Sequence, residues 1–310
     1  MFILNNQPKL VHKQKLYKMV GYHNQFGSLI IPDFRCTQAN IFFYLLHRIK
    51  NLLKDKEVLI NSEGNEYIDL SNTDVVIITI NQLEDELGIN NRHKKWLIKE
   101  CKAVIDQIRT MQLIPANDQK HPNRVDHRMM FERVIDDLND HDYMCFKLVK
   151  DSSTLLLFTR LTSDVCWFTL KDYYCLTTKY SKSLFRYISQ YANSNYRTPT
   201  GQHFLDIPKD ELCAKLHISK DSSVYKRGNI KSKVLIPALN KLNIFFKNIN
   251  IRVKRNIVDK NNPTVIHKTV YEFTWDKDLR HKNPKVKIAN SSSSNQIVND
   301  PIQNFAKSLE

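Results

Sequence analysis

An internal repeat constrains this chain more than any other feature of its sequence. A single ungapped shift carries Ile78 onto Ile207, Leu83 onto Leu212, Leu87 onto Leu216 and Ile89 onto Ile218. The same shift carries Trp96 onto Tyr225, Lys102 onto Lys231, Ile105 onto Val234 and Leu113 onto Leu242. Most of these positions are apolar, as expected when two copies of one unit bury equivalent faces. Two unrelated amphipathic helices also match by chance at a few positions, so the order of elements around the repeat has to agree as well.

That order is the same in both copies. In the first, Thr37–Leu53 has helical apolar spacing, Val75–Ile80 is a β-branched strand, and Asn81–Leu87 is a helix stopped by Gly88. A third helix, about Arg92–Met111, carries Leu97, Cys101, Val104, Ile105, Ile108 and Met111 on one stripe, with Lys95, Lys99, Lys102 and Arg109 opposite. Strand-like runs Arg128–Ile135 and Tyr143–Val149 follow, separated by Asp136, Asp137, Asp140 and Asp142. In the second copy, helix Leu176–Asn193 precedes strand His203–Ile207, helices Lys209–Leu216 and Asn229–Leu242, and a hairpin. The hairpin strands Asn250–Val258 and Val265–Trp275 flank the turn Lys260-Asn261-Asn262-Pro263.

Helix–strand–helix–helix–hairpin is the order of a winged helix. The expected fold class is therefore α+β, with tandem winged-helix domains related by internal duplication. The expected divisions are an extended arm at 1–30, a first domain at 31–163, a linker at 164–175, a second domain at 176–278 and a disordered tail at 279–310. The tail is Lys/Asn-rich and then Ser-rich, with little apolar surface to offset its ordering entropy.

Composition narrows the partner. Lys and Arg number 47 against 32 Asp and Glu, a net charge of +15, while 42% of residues are apolar. The chain has enough apolar mass for real cores and a charge that favours a polyanion, most often nucleic acid. The six cysteines show no C-x-x-C spacing, so neither a disulfide framework nor a zinc site is expected. The longest apolar runs are far too short to span a bilayer and the N-terminus has no signal-peptide core, so a cytoplasmic protein without a membrane partner is expected.

The strongest local signal is Ser222–Val258. It holds nine cations and no acid: Lys226, Arg227, Lys231, Lys233, Lys241, Lys247, Arg252, Lys254 and Arg255. Such side chains displace counterions from phosphates; the competing reading is an ordinary solvated face. Along the helix from Asn229, Leu235, Ala238, Leu239 and Leu242 form the buried side, and Lys233 and Asn240 lie opposite. Lysine donates to guanine and asparagine pairs with adenine, which suits a major groove. Arg252 and Lys254 lie on a hairpin strand that alternates apolar and basic residues, where they would hold backbone. Pro237 is awkward there, because an interior proline costs about 3 kcal/mol. Either the helix starts near Leu235 or it kinks.

Enzyme signatures are largely absent from the sequence. With six glycines there is no G-x-x-x-x-G-K-[ST], and no two of the eleven histidines are separated by a single residue. Tyr173 and Tyr174 read as core tyrosines rather than nucleophiles, and the Asp136–Asp142 cluster as a solvated turn rather than a magnesium site. The expectation is a non-catalytic chain with no cofactor and no metal.

Certain phrases resemble a known family. "LTTKYSKSLFRYISQYAN", "LDIPKDELCAKLHI", "YKRGNIKSKVLIPALNKLN", "INIRVKRN" and "VYEFTW" are similar to the iteron-type replication initiators of theta-replicating plasmids. "KYS..L.RY..QY" and "K..VL.PAL..LN" are the specific ones, and the resemblance is stronger in the second half than in the first. It implies binding to repeated origin DNA, help in opening an adjacent AT-rich region, and recruitment of the host initiator DnaA and the replicative helicase. It also implies a homodimer, formed through the first domain, that represses its own gene. It makes the kinked or accommodated helix the better choice at Pro237. The DNA-binding residues it implies are Lys226, Arg227, Lys231, Lys233, Asn240 and Lys241, with Arg252, Lys254 and Arg255 in the wing. Lys95, Lys99 and Lys102 are the first-domain counterparts, by the internal repeat. The alternative function is a winged-helix transcriptional repressor with no initiator role.

Overall fold

The computed structural model describes residues 18–23, 31–54, 56–60, 62, 66–71, 74–109, 131–139, 141–149, 155–158, 165–192, 197–259 and 264–280. Strand β1 is Met19–His23, and helix α1, Cys36–Leu53, buries Ile41, Phe42, Phe43, Leu45, Leu46 and Ile49. A small hairpin, β2 (Val58–Ile60) and β3 (Glu66–Ile68), leads to β4 (Val75–Thr79). Helix α2 (Ile80–Leu87) starts where Thr79 accepts the Gln82 N–H on its side chain. A 3-10 turn, Asn91–His93, opens α3 (Lys94–Arg109), and β5 (Phe131–Asp137) and β6 (Tyr143–Leu148) form the hairpin. Its sheet runs β4-β6-β5, with both pairings antiparallel.

The second half runs β7 (Val165–Thr169), α4 (Leu170–Tyr174), α5 (Lys179–Tyr191), β8 (His203–Pro208), α6 (Lys209–Lys215) and α7 (Ser223–Lys226). A π turn, Lys231–Leu235, passes into α8 (Ile236–Leu242). Strand β9 (Phe246–Lys247) precedes the long hairpin β10 (Asn250–Val258) and β11 (Ile266–Trp275), and β12 (Lys277–Asp278) pairs back onto β9. Its main sheet runs β8-β11-β10. In each half, then, the lone strand pairs with the second strand of the following hairpin.

The shift that relates the two halves reaches into the backbone. Gly88 ends α2 in the left-handed region at φ 64°, and its equivalent His217 ends α6 there at φ 52°. The next residue closes the same bond in each half: Ile89 N–H to Glu84 O at 2.9 Å, and Ile218 N–H to Cys213 O at 2.8 Å. The pattern is the usual left-handed helix stop. Ile78, Leu83 and Ile105 are buried, and so are Ile207, Leu212 and Val234. Leu113 lies outside the described residues.

Two expected divisions fall differently. The extended arm contains β1, which pairs antiparallel with β7 along Met19–His23 and Val165–Thr169. The linker is β7 and α4, and it buries Cys166, Phe168, Leu170 and Tyr173. Both stretches are buried, with Val20, Gly21 and Tyr22 in one and Cys166, Phe168 and Thr169 in the other. They close the gap between the halves. Phe43 of α1 lies 5.7 Å from Phe168 by ring centroids, and Phe168 lies 5.4 Å from Phe185 of α5. Phe185 in turn meets Phe246 at 6.1 Å. One hydrophobic core therefore runs through both halves. Arg280, assigned to the tail, is buried and holds Asp278 and the carbonyl of Trp167. The rest of the expected tail, 281–310, lies outside the described residues. Among the described residues no helix is long and apolar enough to cross a membrane.

Candidate nucleic-acid interface

The basic stretch Ser222–Val258 starts at α7. Ser222 caps this short helix by accepting the Tyr225 N–H at 3.3 Å. Tyr225 ties it to α6: its hydroxyl donates to Asp210 at 2.6 Å, and Lys209 Nζ lies 3.6 Å from its ring centroid. That hydrogen bond pushes the Tyr225 hydroxyl up to about 12 and holds the Asp210 carboxyl below the usual carboxylate range. Gly228 then turns the chain at φ 68°, and the Asn229 N–H closes on Val224 O at 3.0 Å. A side chain tolerates that left-handed turn poorly, which is where glycine is favoured.

The chain resumes a helical path at Ile230 and meets Pro237. Proline lacks the N–H for a bond to residue 233, and its ring would strike that carbonyl in a regular helix. The α-helix does start near Leu235, at Ile236, but the chain ahead of it is already helical and does not break. It widens into the π turn, where the Ile236 N–H reaches back five residues to Lys231 O. Pro237 then sits in the first turn of α8, where the missing donor is tolerated.

This path separates two faces. Ile230, Val234, Leu235, Ala238, Leu239 and Leu242 are buried, and α8 packs against α5. Ser232, Lys233, Ile236, Pro237, Asn240 and Lys241 are exposed. Lys226 and Arg227 are exposed ahead of them, with Lys226 within 3.3 Å of Asp221, and Lys231 is half-buried. The expected opposition of Lys233 and Asn240 to Leu235, Leu239 and Leu242 is thus the observed arrangement.

The hairpin β10–β11 presents Arg252 and Arg255 to solvent. Lys254 does something else. Its Nζ lies 3.1 Å from Asp206 of β8 and 2.5 Å from Glu272 of β11, so it clamps three neighbouring strands. Partial burial pulls its ammonium down, but Glu272 and Asp206 outweigh that and hold it above the usual lysine range. The expectation that Lys254 is an outward-facing backbone contact is therefore corrected. Its two carboxylate partners come from other strands and neutralise it within the fold.

In the first half, Lys95 and Lys99 are exposed on α3, whereas half-buried Lys102 donates to Asn139 at 2.9 Å. Trp96, counted with the mainly core positions of the repeat, is 44% exposed. It lines a shallow depression with Gly88, Ile89, Asn90 and His93. Sequence reasoning also passed over Ile236, because it looked among cations and amides for the reading face.

The other candidate residues of the sequence lie as follows. Tyr173 is buried, and burial pushes its hydroxyl far up. In the acidic turn, Asp136 accepts the Leu138 N–H, Asp137 pairs with His141 at 2.9 Å and Asp142 pairs with Lys94. Asp140 lies outside the described residues.

No family model and no curated protein matches the chain. Among solved structures it is similar to the Pi initiator protein, determined by crystallography in complex with iteron DNA. The two share 16% sequence identity with a TM-score of 0.53, over 84% of this chain and 99% of that one. At that identity the likeness shows a shared fold.

Proposed function

We propose that the chain is a plasmid replication initiator that binds repeated origin DNA, promotes opening of the origin and recruits the replicative helicase. The observation that carries this reading is the exposed, acid-free face of the π turn and α8, set in the fold of a protein whose structure holds iteron DNA. Lys226, Arg227, Lys231, Lys233, Asn240 and Lys241 are its groove and phosphate contacts, with Arg252 and Arg255 in the wing. Lys95 and Lys99 supply a weaker second contact from α3. The matching helix stops at Gly88 and His217 and the shared strand order support descent of the two halves from one duplicated winged-helix unit. On this reading the partners are double-stranded DNA, a second copy of the chain, the host initiator DnaA and the helicase, all in the cytoplasm.

Footprinting on the DNA flanking the chain's own gene tests it. Protection of evenly spaced tandem direct repeats is the expected result. A single protected palindrome would instead make the protein a repressor of the same fold.

A further inference from the structure

The exposed side of the π turn and α8 is organised as two rows, each stepping from one helical turn to the next. One row is Lys233, Pro237 and Lys241. The other is Ser232, Ile236 and Asn240, and its central side chain is apolar and 41% exposed. A lone exposed isoleucine is ordinary on a protein surface. This one lies between a hydroxyl and an amide on a face free of acids, while Val234, Leu235, Ala238 and Leu239 already fill the buried side. Ser232 also leans back on the helix, its Oγ donating to Asn229 O at 3.3 Å, which leaves Ile236 and Asn240 as the projecting members.

We infer that Ile236 is a specificity-determining residue that packs against the 5-methyl group of a thymine in the major groove, beside the adenine read by Asn240. This rests on the DNA-binding reading above. The major groove offers one apolar feature, the thymine methyl, and small apolar side chains are its partners. One turn of helix, from Ile236 to Asn240, advances about 6 Å, and bases along one strand are about 3.4 Å apart. The thymine therefore lies within two base steps of the adenine. Cations beside an apolar-and-amide row divide the labour on one helix: Lys241 holds the strand, while Ile236 and Asn240 choose the sequence together with Lys233.

The test uses the full chain and the duplex repeat defined by footprinting, with each thymine replaced singly by uracil, which removes only the methyl. For the wild type, uracil at one position should weaken binding roughly fourfold, the value of one buried methyl-sized contact. Ile236→Ala should weaken binding to the thymine repeat by at least as much and become indifferent to uracil at that position. Ile236→Val should keep part of the sensitivity. Unchanged melting temperatures confirm that the variants fold, as an exposed side chain allows. Uracil sensitivity retained by Ile236→Ala, or wild-type binding that ignores uracil everywhere, overturns the inference while leaving DNA binding intact. No wild-type binding to the repeat overturns both.

Discussion

At the residue scale the proposed interface divides by chemistry. Asn240 projects from α8 and Arg252 from a wing strand, and both are exposed. Asn240→Ala should cost about 1–3 kcal/mol on the cognate repeat and much less on a scrambled one. Arg252→Ala should weaken both DNAs alike and lower the salt slope by about one unit. Paired titrations on the two duplexes check the assignment, and reversed behaviour would exchange the roles of helix and wing. Lys254 belongs to a third class. Lys254→Met leaves Asp206 and Glu272 facing each other without their cation, so thermal stability should fall by on the order of 1 kcal/mol. The salt slope should hardly move. Because the folded ammonium titrates above its ordinary value of 10.5, its stabilising effect is complete below that pH and is lost only in strongly alkaline solution. The sequence showed Lys254 as one more cation in a basic run. Its partners sit on β8 and β11, one far upstream and the other across the hairpin, beyond any local pattern.

At the element scale, periodicity was legible where one face is buried. Leu235, Ala238, Leu239 and Leu242 marked the inner side of α8, and the left-handed stop at Gly88 was readable from glycine alone. The equivalent stop at His217 was not, because a histidine gives no such signal. Strands β1 and β7 were missed because each is short and pairs with a partner at the far side of the first half, so neither carries a local hairpin signal. Pro237 could be seen as a problem, but its solution needed the backbone. Pro237→Ala permits a regular helix, so melting temperature should hold or rise while the exposed rows rotate and cognate binding falls more than scrambled binding. Melting curves and titrations together test this; unchanged discrimination would show that the π turn does not set the reading face. Between the halves, buried Lys182 of α5 donates to Asn40 Oδ1 at 2.7 Å and to Tyr173 O at 2.6 Å. Burial lowers its ammonium from 10.5 to about 7. The unfolded chain thus binds a proton that the folded chain has lost between those values, so stability should rise with pH above neutrality. Lys182→Met should flatten that rise in thermal melts across the range; an equally steep rise in the variant would remove Lys182 as its source.

At the scale of the whole molecule, the sequence announced two similar units but not how they join. The aromatic series Phe43, Phe168, Phe185 and Phe246 spans both, so the stretch read as a linker is core. The excess of cations, by contrast, needed no structure to be seen, and the fold carries its longest acid-free run from α7 through the π turn and α8 to β10. On the proposed reading this surface binds DNA through phosphate charge as well as base edges. The most direct measurement is the affinity for the duplex repeat over a range of salt concentrations. With roughly six to ten phosphate contacts, the logarithm of affinity should fall against the logarithm of salt with a slope of about −5 to −9. A slope near zero would contradict that reading.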